Sequence, residues 1–302
     1  MDNLLKHPVV CFGEVLWDIL PSGAVPGGAP MNVAYHLHKQ GKNPALITKI
    51  GIDEEGKKLI DIFSNQGICT DYFQVDYTHE TGKVYAKPNK DNEVTYNIVM
   101  PVAWDNITEE DDLKNLVEGA EFFVFGSLAS RSKTSRDTLF SLLPMAKNKV
   151  LDINLRAPHF NKKIVKDLLE QADFVKMNYS ELELITGWFS DFSSIEDRIK
   201  CIRDKFSISN IVVTMGGDGA MLYMNDEAIM HSGFKVDVVD TVGSGDAFLA
   251  GLLSKLLDKS SPAAALDFAS RFGAFIATQR GACPEYDLQM VDALIEDQKQ
   301  TI

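Results

Sequence analysis

The sequence predicts an α/β protein with a mostly parallel sheet, helices on both faces and a small β insertion. Three observations lead there. Short apolar runs alternate with amphipathic stretches of helix length along most of the chain, and alternation at that spacing builds a parallel sheet covered on both sides. From about 71 to 101 the rhythm changes: Tyr72, Val75, Tyr77, Val84, Tyr85, Val94, Tyr96, Ile98 and Val99 alternate with polar residues, the pattern of half-exposed antiparallel strands. Finally, Asp240-Thr241-Val242-Gly243-Ser244-Gly245-Asp246-Ala247-Phe248 follows an alternating segment (Phe234, Val236, Val238) and runs into an apolar stretch over 247–257. That reads as strand, glycine-rich turn and helix.

In chain order, 9–12 is a buried strand closed by Gly13. Residues 14–20 carry acids at Glu14 and Asp18 before Pro21-Ser22-Gly23 turns the chain. Gly27-Gly28-Ala29-Pro30 opens a helix over about 31–40, stopped by Gly41. A strand at 45–50 and a helix at 55–66, stopped by Gly67, follow. The insertion at 71–101, joined by about 15–26, has turns at Thr81-Gly82 and at 89–92. Helices at 109–118, 134–147 and 161–171 then alternate with strands at 122–126, 149–153 and 174–177. Helices at 180–186 and 195–206 precede strands at 211–215 and 220–224. Ser261-Pro262 caps a helix running to about 279. The whole is expected to be one domain, 1–302. In such sheets ligands bind beyond the carboxyl ends of the strands.

Composition narrows the function. The chain has 45% hydrophobic and 24% charged residues, ordinary for a soluble protein of 302 residues. Asp plus Glu outnumber Lys plus Arg 43 to 30, for a net charge of -13, which argues against a general nucleic-acid partner. Cys11, Cys69, Cys201 and Cys283 are far apart with no CxxC pair, the pattern of free thiols in a reducing compartment. No stretch is long and apolar enough to span a bilayer, and the N-terminus lacks a basic run. The expected location is cytoplasmic, without a membrane partner. The six histidines form no ligand cluster and no GxSxG is present.

Five motifs carry candidate chemistry, and each also has a plain structural explanation. In 240–246, small residues let the backbone approach a ligand, and the following helix start attracts anions. Asp246 would repel a resting phosphate, so a hydroxyl meeting a phosphoryl group fits better than a phosphate store. The alternative is a tight turn with Asp246 as a cap; a dinucleotide loop is disfavoured because Phe248 occupies the third glycine position of GxGxxG. Gly27-Gly28 with Asn32 is a tight helix entry or a wall gripping sugar hydroxyls, two of them accepted by Asp18. Asn178-Tyr179-Ser180-Glu181 is a capping arrangement or a phosphate and magnesium site. Thr214-Met215-Gly216-Gly217-Asp218-Gly219-Ala220 is a hairpin turn or a nucleotide-contacting turn. Asp152-Ile153-Asn154-Leu155-Arg156 groups polar side chains at a strand end, where Arg156 could meet a phosphate or an internal acid.

In this order the motifs resemble the ribokinase-like, PfkB-type carbohydrate kinases. GGAPMNVAYHLHKQG at 27–41 and DTVGSGDAF at 240–248 look like the two signature regions of that family, with DINLR, NYSE and TMGGDGA between them. The opening GEVLWDILP at 13–21 is most similar to bacterial fructokinases. The resemblance covers essentially the whole chain and implies a ribokinase-like three-layer fold with a small β-sheet lid formed by about 15–26 and 71–101. It implies Asp246 as catalytic base and Gly243, Ser244 and Gly245 as the anion hole. Asp18, Gly27, Gly28 and Asn32 would bind the sugar, with Arg156 beside them. Asn178, Thr214, Gly216 and Gly219 would line the ATP site. Glu181 would organise magnesium indirectly, and a monovalent cation, K+, would sit near Asp240 and Val242. Ser244 and Val242 depart from the commonest family residues, Ala and Thr, while keeping small or backbone-only roles. A homodimer through the lid is a further implication.

The expected activity is transfer of the ATP γ-phosphate to a sugar hydroxyl, with D-fructose giving fructose 6-phosphate. Ribose, 2-keto-3-deoxygluconate or a nucleoside are the alternative acceptors. From other classes, a catalytically silent sugar-binding regulator is opposed by the retained Asp246, and a nicotinamide oxidoreductase by Phe248. Trp17 beside Asp18 either shapes the sugar pocket or packs the base of the lid.

Overall fold

The computed structural model describes residues 6–20, 23–88 and 94–299, and among them the chain forms two sheets. The larger has nine strands among the described residues. In sequence order they are β1 (Val9–Phe12), β4 (Ala45–Gly51), β5 (Phe73–Asp76), β8 (Phe122–Gly126), β9 (Lys149–Asp152), β10 (Phe174–Asn178), β11 (Asn210–Thr214), β12 (Ala220–Met224) and β13 (Glu227–His231). Their spatial order is β13-β12-β11-β10-β9-β8-β1-β4-β5; β12 runs antiparallel to both its neighbours and the other pairs are parallel. The order runs one way from β1 to β5 and the other way from β8 to β11. The switch between β1 and β8 therefore opens a crevice at their carboxyl ends.

Alternate residues of each central strand feed two separate cores, as a sheet buried on both faces requires. Val9 and Cys11 of β1 join α1 (Ala29–Lys39), α2 (Glu54–Asn65), α8 (Ser244–Leu257), α9 (Pro262–Ala277) and α10 (Leu288–Lys299) on one face. Val10 and Phe12 join α3 (Asp111–Gly119), α4 (Lys133–Leu142), α5 (Lys162–Leu169), α6 (Tyr179–Thr186) and α7 (Ile195–Phe206) on the other. Polar starts fix several helices: Asp53, Asn161, Ser194 and Ser261 each accept a backbone N–H of the first turn. This is the three-layer, ribokinase-like arrangement.

The second sheet has the order β3-β2-β6-β7, from β2 (Leu16–Leu20), β3 (Gly23–Gly27), β6 (Gly82–Pro88) and β7 (Val94–Ile98). It rises from the carboxyl end of β1, four residues earlier in the chain. Its own core, Leu16, Val84, Ile98, Val102, Trp104 and Leu128, is fastened by an ion pair. Arg131 donates to both oxygens of Asp105 (2.7 and 2.8 Å) and to the Val99 carbonyl, and its guanidinium lies 3.9 Å from the Trp104 ring centre. Trp17 turns to the opposite face from Asp18 and donates its indole N–H to the Glu55 carbonyl at 3.0 Å. It packs the base of the small sheet against α2.

The fold corrects several sequence expectations. The insertion does not begin at 71, because β5 pairs in parallel with β4 in the large sheet. It is not wholly antiparallel either, since β2 and β6 run parallel. The strand expected at 234–238 does not form. The chain there crosses the end of α9, where the amides of Val239 and Asp240 both donate to the Ala277 carbonyl (2.9 and 3.2 Å). Strand β13 and helix α10 are additions to the expected elements. The turns expected at Pro21-Ser22 and at 89–92 lie outside the described residues.

Candidate active site

Asp246 stands in the first turn of α8 and is only 8% exposed. The helix starts there because Gly243, at φ 76°, turns the chain left-handed as its N-cap. A β-carbon at 243 would lie 2.6 Å from Cα of Ala282, so the loop after α9 seals the turn from behind. The Ser244 hydroxyl donates to the Gly273 carbonyl at 2.8 Å, fixing the helix start on α9, and the Ser244 amide turns to Thr241 O at 3.3 Å. The next amides of the first turn have no intrahelical acceptor to reach.

Asn32, from the first turn of α1, meets Asp246 across the crevice. Its Nδ2 donates to Asp246 Oδ2 at 2.7 Å, and its Oδ1 accepts from the Cys283 thiol at 3.3 Å. The amide is therefore oriented by two partners, and its N–H faces the carboxylate. Gly28, at φ 119°, caps α1; a β-carbon there would overlap the Glu14 carbonyl oxygen. A β-carbon at Gly27 would overlap the Asp18 carboxylate, which lies over it. Asp18, Gly27, Gly28, Asn32 and Asp246 thus line one crevice between the small sheet and the large one.

Three carboxyls in this crevice are hard to ionise. Burial pushes Glu14 up to about 7, Asp18 up to about 6 and Asp246 up to about 6. Against Asp246, the strongest opposing influence is the Lys176 ammonium; the Arg156 charge also favours ionisation of all three. Arg156 itself is exposed at the rim, its Nη1 donating to the Leu155 carbonyl at 3.3 Å. A carboxylate of this kind can accept a proton from a hydroxyl placed beside it.

The expected nucleotide residues cluster further along the same edge. Asn178 ends β10 in register with Thr214 at the end of β11. Asn178 and Glu181 form a reciprocal cap on α6, each side chain accepting the other's amide at 2.9 Å. The second Glu181 oxygen accepts the Leu155 amide at 2.8 Å. Both oxygens are thus committed to backbone amides, which leaves lone pairs for ordered water and suits an outer-sphere role toward magnesium. The Asp240 oxygens likewise accept the amides of Val242 and Gly281, each at 3.0 Å, tying the loop before α8 to the loop after α9. Among the described residues no group of three His, Cys, Asp or Glu side chains is placed to hold a metal. Gly219 (φ 92°) is packed so closely on β13 that a β-carbon would overlap the His231 carbonyl; Gly216 (φ 59°) faces open space.

Sequence reasoning missed four residues at this site: Glu14, Asp152 as an ion-pair partner, Lys176 and Cys283. Lys176 had a signal, since a lysine among the buried residues 174–177 needs a partner. Cys283 had none.

Comparison with known proteins places the chain in a family. The model for the pfkB family of carbohydrate kinases matches residues 23–287. Probable fructokinase-7 of Arabidopsis thaliana is 31% identical, over 91% of this chain and 88% of its own length. Fructokinase-1 of Zea mays is 29% identical, over 92% and 94%. The ATP-bound fructokinase of Xylella fastidiosa superposes with a TM-score of 0.84 at 24% identity, covering 98% of this chain and 100% of that one. The Vibrio cholerae fructokinase with fructose, ADP and calcium gives 0.81 at 23%, covering 96% and 99%. The chain belongs to the pfkB family of carbohydrate kinases, phosphotransferases that act on a sugar hydroxyl.

Proposed function

We propose that this kinase transfers the γ-phosphate of ATP to D-fructose, giving fructose 6-phosphate and ADP. The observation that carries the site assignment is the hydrogen bond from Asn32 to the buried carboxylate of Asp246, between the sugar wall and the helix start. Asp246 takes the proton of the acceptor hydroxyl. The freed oxygen bonds to the γ-phosphorus as the bridging P–O bond to ADP breaks. The amides around Gly243, Ser244 and Gly245 face the charge that develops on the phosphoryl oxygens, commonly the largest contribution in such sites. Asp18, over Gly27 and Gly28, accepts hydroxyls of the sugar and fixes its orientation. Asn178, Thr214, Gly216 and Gly219 line the nucleotide side, where Glu181 would help to hold magnesium, which would supply charge neutralisation of the phosphates.

The fructose assignment is supported by the names of the relatives above, and the small sheet is assigned as the lid over the sugar. A homodimer through that sheet is part of the same reading, since Val25 and Tyr96 on its Asp18 face are exposed. K+ near Asp240 and Val242, and a cytoplasmic location for a chain with four free cysteines, complete it. Among the described residues no helix is long and apolar enough to cross a membrane.

The test is ADP release over a panel of fructose, ribose, 2-keto-3-deoxygluconate and a nucleoside, with Asp246→Asn alongside. Fructose turns over fastest, and Asp246→Asn lowers kcat by about 10²–10⁴-fold with ATP affinity retained. Another acceptor working better would replace fructose; near-normal turnover in Asp246→Asn would remove the assigned base.

A further inference from the structure

Lys176 is a charged residue that neither the fold nor the sugar and nucleotide contacts account for. It sits third in β10 between buried Val175 and Met177 and is 7% exposed. Its Nζ donates to both oxygens of Asp152, at 2.8 and 3.0 Å, from the position directly opposite on β9. A buried ion pair adds little stability over apolar residues of similar size, so stability is a poor reason for its presence. Its location offers another. A β-carbon at Gly245 would lie 3.1 Å from Nζ, so the ammonium rests against the glycine turn, one residue before Asp246. Glycine at 245 is what lets it come so close.

We infer that Lys176, fixed by Asp152, is a positioning residue that keeps Asp246 ionised and ready to take the hydroxyl proton. The inference rests on the reading of Asp246 as the base. The groups that act on Asp246 come from every neighbouring element. The Asn32 amide comes from α1, Glu14 follows β1, and Asp152 and Arg156 come from β9 and its loop. Lys176 comes from β10 and Cys283 from the loop after α9. Asp152 disfavours the ionised form, while Lys176, Asn32 and Arg156 favour it; the Asp246 charge in turn helps to keep Glu14 and the Cys283 thiol protonated. Lys176 outweighs each of the other charges. Although burial works against its own charge, Asp152, then Asp246 and Glu181, hold its affinity for the proton above the ordinary lysine value. The ammonium therefore persists across the working pH range.

The experiment is the pH profile of kcat/KM for the sugar acceptor, which reports ionisations of the free enzyme. It compares wild type, Lys176→Met, Lys176→Arg and the double variant Lys176→Met/Asp152→Leu. Losing the ammonium moves the acid limb to higher pH by about 1–3 units, so from a limb near 6 activity falls at least about fivefold more at pH 6 than at pH 9. Lys176→Arg restores the limb position. The double variant, which leaves no unpaired buried charge, shows a smaller upward move than Lys176→Met, because Asp152 pushes Asp246 the other way. A uniform loss at all pH values, an Arg variant displaced like Met, or a double variant at the wild-type position overturns the inference. Asp246→Asn measured in parallel separates the two ideas. If it remains active, the base assignment fails; if it is inactive while the Lys176→Met limb stays in place, only the inference fails.

Discussion

Gly243→Ala tests how tightly the start of α8 is held. Alanine at φ 76° pays about 1–2 kcal/mol for the left-handed conformation. Its β-carbon would also stand 2.6 Å from both Cα and Cβ of Ala282 and 2.9 Å from that residue's carbonyl oxygen. Carbon atoms rest at about 3.5–4.0 Å, so the two segments must separate by about 1 Å. The loop after α9 cannot retreat freely. Gly281 N–H donates to Asp240 at 3.0 Å, Ala282 O accepts from His36 Nε2 at 2.9 Å, and Cys283 donates to Asn32 at 3.3 Å. Ala282 O can only accept, so the His36 proton is on Nε2, and Nδ1 accepts from Tyr286. The helix start gives way instead, carrying the amides of 244 and 245 and the Asp246 carboxylate with it.

A displacement of that size costs about 10²-fold in kcat where chemistry depends on alignment. Strain and overpacking together destabilise by roughly 2–4 kcal/mol. Steady-state kinetics and urea unfolding measure both. Gly119→Ala, in a place where a β-carbon meets nothing within 4 Å, is the control and leaves both near wild type. A Gly243→Ala enzyme within about twofold of wild-type kcat and with an unchanged urea midpoint would refute the reasoning.

Two predictions concern the support of the site. Asp105→Asn breaks a pair whose side chains are each 2% exposed, leaving Arg131 charged and buried beside Trp104. It should destabilise by about 3–5 kcal/mol in urea, and an unchanged midpoint would mean that the base of the small sheet is held otherwise. Glu14→Gln should do the opposite at alkaline pH. Burial raises the folded-state affinity of Glu14 for its proton, from 4.5 to about 7. The folded state then binds more protons than the unfolded one across that window, so this group's contribution is present below about pH 4.5 and lost as pH rises through 7. Glutamine can still accept the Ala29 amide, and should be more stable than wild type at pH 8 by on the order of 1–3 kcal/mol. Equal stabilities at pH 8 would show that Glu14 ionises freely.

Much of the fold was legible because its signals are local. Ser194 and the left-handed Ser207 bracket α7, and β12 shows its boundaries in five residues. What failed depended on distant partners. Phe73–Asp76 has the same alternation as a lid strand, and only the free edge of β4 draws it into the large sheet. Phe234, Val236 and Val238 alternate as a strand would, yet the segment forms no ladder and leads instead to the Ala277 carbonyl at the end of α9. The site divides the same way. Gly28, Gly219 and Gly243 were visible as turn chemistry, and positive φ at each is what the structure requires. The Asn32–Asp246 bond spans 214 residues and could not be read from spacing.

Charge at the site follows from this division of labour. Arg156 and Lys176 both favour the ionised form of Asp246, yet one is exposed and the other buried. The field of an exposed guanidinium is screened by water and salt, whereas an ammonium inside the sheet acts through a medium of lower dielectric. Arg156 was the cation that sequence pattern offered, because it ends a recognisable polar motif. Lys176 was concealed in an apolar strand, where a partner on the next strand had to be inferred. That concealment is the physical basis of its greater influence. A charge can be strong inside a protein only if it is desolvated, and it can be desolvated only if something like Asp152 accompanies it. The cost is a second carboxylate near the base, which opposes ionisation. Net benefit to Asp246 therefore requires the ammonium to exert more influence on it than Asp152 does, and of the two it is the stronger.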